Sequence, residues 1–233
     1  MEPIQRQRAL ARVALLAGLP PAAIAALVTE CGWRTYERGA DIIGQESDDT
    51  NVYFIAEGQV RVTIFARSGR EIAFRDLGEG TSFGELSAID GLARSASVVA
   101  LRDTVLASIP RVRFWSLLRN HHSVTERLLK QLTALIRNLT ERVVDYSTLT
   151  VRNRIQAELV RMAREAGVSA NRSLITPAPR HADIASRVAT TREAVARELN
   201  RLARQGILER RRGALAVLDV RQLVDLVDKV RGS

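Results

Sequence analysis

Phe83-Gly84-Glu85-Leu86-Ser87, followed by Arg94-Ser95-Ala96-Ser97-Val98, is the stretch on which the reading of this chain turns. It sets one carboxylate and one arginine, nine residues apart, on a glycine-opened segment between two apolar strands. A glycine there lets backbone N–H groups close on an anion, and a following turn of helix adds its positive end. Glu85 can accept a hydrogen bond from a sugar hydroxyl, and Arg94 offers a fork of donors to a phosphate. The segment therefore has the chemistry to hold a ribose and a phosphate side by side.

Outward from it, the pattern from Trp33 to Ile109 is one of short β-branched runs separated by turns. Examples are Asn51-Val52-Tyr53-Phe54-Ile55, Gln59 to Phe65, Glu71-Ile72-Ala73-Phe74-Arg75 and Ser97 to Leu101, punctuated at Glu57-Gly58, Ser68-Gly69 and Leu77-Gly78-Glu79-Gly80. Strands this closely spaced imply an antiparallel barrel or roll. Residues 4–30 read as helical around a Gly18-Leu19-Pro20-Pro21 break, with Leu10, Val13, Leu16, Ile24, Leu27 and Val28 at helical spacing.

Residues 111–167 turn helical again. Leu129, Leu132, Ile136, Leu139, Val143 and Tyr146 advance in alternating steps of three and four, the seam of a coiled coil. The spacing predicts a parallel contact between two copies through residues 129–146; the plainer alternative is an amphipathic helix packed within one chain. Leu128, Leu135 and Val144 lie off the seam and are expected to pack on the chain's own barrel. Beyond the Thr176-Pro177-Ala178-Pro179 break come two short helical patterns, His181–Val188 and Arg192–Ala203. The second has a threonine start at Thr190-Thr191, where Glu193 is spaced to form a capping box with Thr190. Gln205-Gly206 stops it, a hairpin follows around Arg212-Gly213, and residues 219–231 close the chain as an amphipathic helix. Helix, tight turn, helix, hairpin is the layout of a winged helix-turn-helix.

Composition narrows the function classes. Residues 1–110 hold 11 Lys+Arg against 14 Asp+Glu, while residues 111–233 hold 24 against 12. A basic C-terminal half points to a polyanion partner. Cys31 is the only cysteine and His121, His122 and His181 are the only histidines, so neither a metal-ligand spacing nor a catalytic triad can be assembled. Apolar runs are too short for a transmembrane span, and the start Met1-Glu2-Pro3-Ile4-Gln5-Arg6 lacks a signal-peptide core. A cytoplasmic protein without an enzymatic site is expected.

These segments, in this order, resemble the cyclic AMP receptor protein/FNR superfamily of transcription regulators over essentially the full chain. The markers are the cassette at 83–98 and Asp183-Ile184-Ala185 followed by Thr190-Thr191-Arg192-Glu193-Ala194-Val195-Ala196-Arg197-Glu198-Leu199. The resemblance implies an α+β chain with a cyclic-nucleotide-binding β-roll at 1–120, a dimerisation helix at 121–150 and a winged helix-turn-helix at 151–233. Oxygen sensors of the superfamily need N-terminal cysteines and its haem-based carbon monoxide sensors need axial ligands there. The N-terminal half here has a single cysteine and no histidine.

By resemblance, Glu85 accepts from the ribose 2′-hydroxyl, Arg94 neutralises the cyclic phosphate, and the Gly84, Glu85 and Leu86 backbone lines it. The alternative is a structural Glu85–Arg94 ion pair with no ligand. An arginine fork matches guanine O6 and N7 but meets a donor on adenine. Arg75, after Phe74 on the preceding strand, resembles the guanine-contacting arginine of cyclic-GMP-dependent protein kinases, and Ser95 sits where they carry a threonine. Arg75 as a plain strand arginine and Ser95 as a plain phosphate contact are the alternatives. Cyclic AMP receptor protein reads adenine with two adjacent hydroxyl residues on its dimer helix; the matching positions here are Leu139 and Thr140, with Asn138 beside them. Cyclic GMP is thus favoured over cyclic AMP.

At the DNA end, Arg192, Glu193 and Arg197 match the family's base-reading residues, with arginine suited to guanine and glutamate to cytosine N4. Thr190 and Thr191 are expected on phosphates. A pseudo-palindromic TGTGA…TCACA site follows from the match, while Arg210, Arg211 and Arg212 on the wing track the DNA backbone. RNA polymerase is a family expectation with no residue assigned. The expected function is a dimeric, cyclic-nucleotide-dependent transcription regulator. The alternative is a constitutive DNA-binding regulator with a vestigial pocket.

Overall fold

The computed structural model describes residues 2–65 and 71–231, with side chains for all of these except 71–74 and 231. The chain divides between Ala134 and Leu135 into two units, each with a core of its own.

In the first unit, Pro3 at the first helical position and a capping box between Glu2 and Gln5 start helix α1 (Pro3–Ala11). Helix α2 (Pro21–Glu30) likewise begins on a proline. Leu10, Val13, Leu16, Ile24 and Leu27, the helical-period residues, are all buried in one apolar cluster with Phe54, Ile109 and Phe114. That cluster covers a sheet ordered β1 (Gly32–Tyr36), β8 (Thr104–Ile109), β3 (Val52–Glu57), β6 (Ser82–Phe83). A second sheet runs β2 (Asp41–Ile43), β7 (Ser97–Ala100), β4 (Gln59–Phe65), β5 (Glu71–Gly78). Every pairing in both sheets is antiparallel. Ile43, Val60, Leu77 and Val98 from one sheet meet Tyr53, Ile55, Phe83 and Leu106 from the other, which closes the expected roll. Each such side chain, fully buried, contributes about 1.5–3 kcal/mol.

Helix α4 (Arg111–Asn120) docks Phe114, Leu117 and Leu118 into the first cluster, and the start of α5 (His122–Thr148) adds Val124 and Leu128. Farther along α5 the apolar residues emerge. Leu132 is half-buried, while Leu129, Ile136, Leu139, Val143 and Tyr146 are exposed. Of the three off-seam residues, Leu128 is buried and Leu135 half-buried. Val144 is 47% exposed, and the last α5 residue in the apolar cluster over the roll is Leu132.

The second unit holds α6 (Val151–Glu165), β9 (Ser173–Ile175), α7 (His181–Arg187), α8 (Arg192–Arg204), β10 (Leu208–Arg211), β11 (Ala214–Val217) and α9 (Val220–Arg231). Ile155, Leu159, Ile184, Val195, Leu199, Leu202, Val217, Leu223 and Val227 form its core. The hairpin β10–β11 is joined by β9 in a three-stranded sheet. Among the described residues that core includes no side chain of α5. The last turns of α5 are tied to α6 and α7 by polar groups instead. Arg142 pairs with Glu158 at 3.4 Å, Arg161 with Asp145 at 2.7 Å and Glu158 at 3.0 Å, and the Tyr146 hydroxyl donates to the Arg187 carbonyl at 2.5 Å. Arg187 also reaches Glu158 at 3.2 Å, and both carboxylates are almost fully buried.

Candidate functional site

The cassette begins where β6 ends. Gly84 caps the six-residue helix α3 (Glu85–Asp90) with φ +87°, a left-handed backbone that other residues adopt at a cost. A Cβ there would lie 2.7 Å from Arg94 Nη1 and 2.8 Å from the Asn51 carbonyl oxygen. The glycine is therefore required both by the turn and by the approach of Arg94.

Arg94 is buried, 3% exposed, in the loop that returns from α3. Its Nη1 donates to the Gly84 carbonyl at 2.8 Å. Its Nη2 donates to the Asn51 carbonyl at 2.6 Å and to Asp49 Oδ2 at 2.5 Å. The guanidinium sits 5.7 Å from the Tyr53 ring centroid, and Tyr53 in turn stacks on Phe83 at 5.1 Å. Partial burial works against a charged Asp49, but the bonds from Arg94, the Asn51 N–H and the Tyr53 hydroxyl outweigh it and hold the carboxyl below its usual range. Burial, then Asp49, pushes the Tyr53 phenol up to about 12, so it stays a donor.

One feature of this cradle fits a phosphate. Among the described residues, Arg94 Nε is buried and has no hydrogen-bond partner, a donor that folding normally satisfies. Glu85 stands on the first turn of α3, half-buried and without a hydrogen-bond partner among the described residues. Leu86 and Ser95 are exposed. The cassette thus brings Gly84, Glu85, Leu86, Arg94 and Ser95 into one turn and its return loop.

The residues expected to select the base are placed more sparsely. Arg75 is half-buried on β5, opposite Val62 of β4. Phe74 lies on the same strand, but its side chain falls outside the described residues. Asn138 and Thr140 are exposed on α5 in the other unit, where Thr140 Oγ1 donates back to the Ile136 carbonyl at 3.0 Å.

In the second unit, α7 and α8 are joined by a turn in which Ala189 has φ +50° and the Thr190 N–H donates to the Ala185 carbonyl at 2.9 Å. The cap of α8 differs from the sequence expectation. Thr191, not Thr190, is the N-cap, and its Oγ1 accepts from the Ala194 N–H at 3.3 Å. With the helix starting one residue later, Glu193 falls at the second helical position, too early to reach back to the cap. It pairs with Arg192 at 2.8 Å instead, and that bond comes first in holding its carboxyl below the usual range. Val195, Glu198, Leu199 and Leu202 form the buried face of α8, which leaves Arg192, Glu193 and Arg197 exposed. Arg197 also lines a groove of about 830 Å³ with Arg152, Arg201 and Arg204. Glu198 at its floor accepts from Gln156 at 2.6 Å and from Arg201 at 2.6 Å. On the wing, Arg211 is paired with Glu209, and Arg210 Nη2 lies 2.8 Å from His181 Nε2.

Sequence reasoning missed Asp49, which is as close to Arg94 as any ligand could be, and the buried pair Asp145 and Glu158. Among the described residues no group of His, Cys, Asp and Glu could hold a metal ion, and no helix is long and apolar enough to cross a membrane.

Two family models match the chain: a cyclic nucleotide-binding domain over residues 33–121 and a Crp-like helix-turn-helix domain over residues 153–226. The cyclic AMP receptor protein of Thermus thermophilus is 29% identical over 212 residues, covering 91% of this chain and 95% of that protein. A CRP-like cAMP-activated global transcriptional regulator of Mycobacterium tuberculosis is 27% identical over 198 residues, covering 84% of this chain and 88% of that protein. Among solved structures, a CooA mutant from Carboxydothermus hydrogenoformans shares the fold with a TM-score of 0.75 at 21% identity, covering 87% of this chain and 89% of that one.

Proposed function

The chain belongs to the cyclic AMP receptor protein/FNR family of transcription regulators, and from that premise we propose that it is a cytoplasmic homodimer whose DNA binding is switched by a 3′,5′-cyclic nucleotide. The observation that carries this reading is the cradle of Gly84, Glu85 and Arg94, with a buried guanidinium Nε that lacks a partner among the described residues. Arg94 would take the cyclic phosphate, Glu85 the ribose 2′-hydroxyl, and Ser95 a further phosphate or base contact. The exposed apolar seam of Leu129, Ile136, Leu139, Val143 and Tyr146 gives a second copy a surface to cover. Across that seam, Asn138 and Thr140 would approach the base. Bound nucleotide would favour one disposition of the two α8 helices, spaced to enter successive major grooves about 34 Å apart. DNA must then raise nucleotide affinity by the same factor that nucleotide raises DNA affinity.

Arg192 and Arg197 would pair with guanine and Glu193 with cytosine in the half-site, while Thr190, Thr191 and the groove arginines follow phosphates. Arg192 must exchange its bond to Glu193 for DNA, a small cost for a pair this exposed. RNA polymerase is the expected downstream partner. As ligand, cyclic GMP is favoured by Arg75, whose fork matches guanine O6 and N7. Cyclic AMP is the second reading, favoured by the names of the Thermus and Mycobacterium relatives.

Parallel calorimetric titration of both nucleotides, with DNA binding followed by fluorescence anisotropy, tests the whole. The wild-type protein should bind a TGTGA…TCACA duplex only with nucleotide, and Arg94→Ala should lose the response. Nucleotide-independent DNA binding would sink the switch and leave a constitutive regulator. If Arg75→Ala keeps the wild-type preference between the two nucleotides, the argument for cyclic GMP fails.

A further inference from the structure

Arg94 is held by its own chain where a phosphate would hold it. Carboxylates and phosphates grip a guanidinium through two parallel N–H bonds. Each two-donor edge of that group includes a hydrogen of Nη2. Here Nη2 is bonded to Asp49 at 2.5 Å and to the Asn51 carbonyl at 2.6 Å, so no edge is open to a ligand. The one guanidinium nitrogen left without a partner among the described residues, Nε, borders the edge that Nη2 would complete.

Asp49 is built to stand in that position. Its Oδ1 accepts from the Asn51 N–H at 3.1 Å and its Oδ2 from the Tyr53 hydroxyl at 2.9 Å. It is also the outer member of the pair, with its side chain 29% exposed against 3% for Arg94. The carboxylate is thus the member of the pair more open to solvent. If Arg94 lets go, Asp49 still has Tyr53, the Asn51 amide and water, so the carboxylate has a second stable arrangement.

We propose that Asp49 is an internal competitor for the ligand's phosphate, and that its hold on Arg94 Nη2 sets the affinity of the cassette. This rests on the cyclic-nucleotide reading of the site and deepens it: the ligand's phosphate replaces a carboxylate of the chain and does not enter a vacant cradle. Asp49 is thus an affinity-determining residue that no spacing from Glu85 or Arg94 identifies.

The test is calorimetry of the full-length protein with 3′,5′-cyclic AMP and with 3′,5′-cyclic GMP, comparing wild type, Asp49→Asn, Asp49→Ser and Arg94→Ala. The neutral variants at 49 should bind about tenfold tighter or more, the scale of one charge-assisted hydrogen bond. The gain should be the same factor for both nucleotides, because the phosphate is common to them. Melting curves identify any variant that does not fold, and Asp49→Ser, smaller and uncharged, decides if Asp49→Asn is lost. Folded variants that bind no tighter than wild type overturn the proposal, as does a gain confined to one base. If wild type binds neither nucleotide, binding gained by Asp49→Asn supports it and continued silence overturns it. Arg94→Ala binding both nucleotides like wild type would instead sink the cassette reading itself, a result distinguishable from failure at Asp49.

Discussion

Gly84 and Gly39 share a left-handed backbone, φ +87° and +88°, but not their surroundings. A Cβ at position 39 meets nothing within 4 Å, whereas one at position 84 would lie 2.8 Å from a backbone carbonyl and 2.7 Å from Arg94. Gly39→Ala therefore isolates the cost of the backbone conformation, about 1 kcal/mol. Gly84→Ala carries that cost plus an overlap that Asn51 cannot relieve without moving β3, for about 2–4 kcal/mol in all. Trp33 and Trp115 are the only tryptophans and both lie in the first unit, so urea unfolding followed by tryptophan fluorescence reports on that unit. With a urea dependence of about 1–3 kcal/mol per molar, the midpoint should fall by roughly 1–2 M for Gly84→Ala and by about 0.5 M for Gly39→Ala. Nucleotide binding should survive in the second variant and be lost in the first. Equal midpoints for the two variants would refute the claim that Arg94 and Asn51 close on Gly84.

Three further outcomes are expected. Glu158→Ala removes a buried carboxylate that faces Arg142, Arg161 and Arg187, and should cost the second unit about 3–5 kcal/mol, read from the helical circular dichroism signal in urea; a loss below about 1 kcal/mol would mean the cluster is solvated. Ile136→Asp places a charge on the exposed seam and should convert the proposed dimer to monomer in sedimentation equilibrium, with the fold retained; an unchanged mass would overturn a dimer through this seam. Burial first, then Arg210 and Arg192, hold His181 below its ordinary 6.5. A histidine whose folded value is depressed contributes stability that is intact above 6.5 and lost as pH falls through the folded value. Between roughly pH 7.5 and 5, wild type should therefore lose more stability than His181→Gln, and identical losses would show that burial and the two arginines do not depress His181.

The parts of this chain legible in its sequence are those governed by short-range rules. Gly84 announces a left-handed turn, Gly213 a hairpin, and the helical period of Val195, Leu199 and Leu202 a buried face. Asp49 was not legible because it meets Arg94 across 45 residues of chain, and Asp48 beside it has the same chemistry. Only the path of the loop before β3 chooses between them. Asp145 and Glu158 read as surface carboxylates on arginine-rich helices, since nothing local says that two helices and a third will close over them. Strand β9, three residues long, takes its conformation from the edge of β11 and has no alternation of its own to reveal it. The cap of α8 shows the limit from the other side: two adjacent threonines satisfy the same rule, and the Thr190 amide is already bonded to Ala185, which leaves Thr191 to start the helix.

The end of α5 meets α6 and α7 through ions and a tyrosine hydroxyl, with no apolar side chain of α5 among the described residues of the core beneath. Exposure of apolar surface is what gives protein rearrangements their large heat capacity change and makes apolar contacts weaken on cooling. Separating these last turns from α6 and α7 exposes mainly polar surface, so that rearrangement has a small heat capacity change and an enthalpy that varies little with temperature. The last turns of α5 are therefore held by a joint whose response to temperature follows the hydration of its charges, whereas that of the core beneath follows apolar burial.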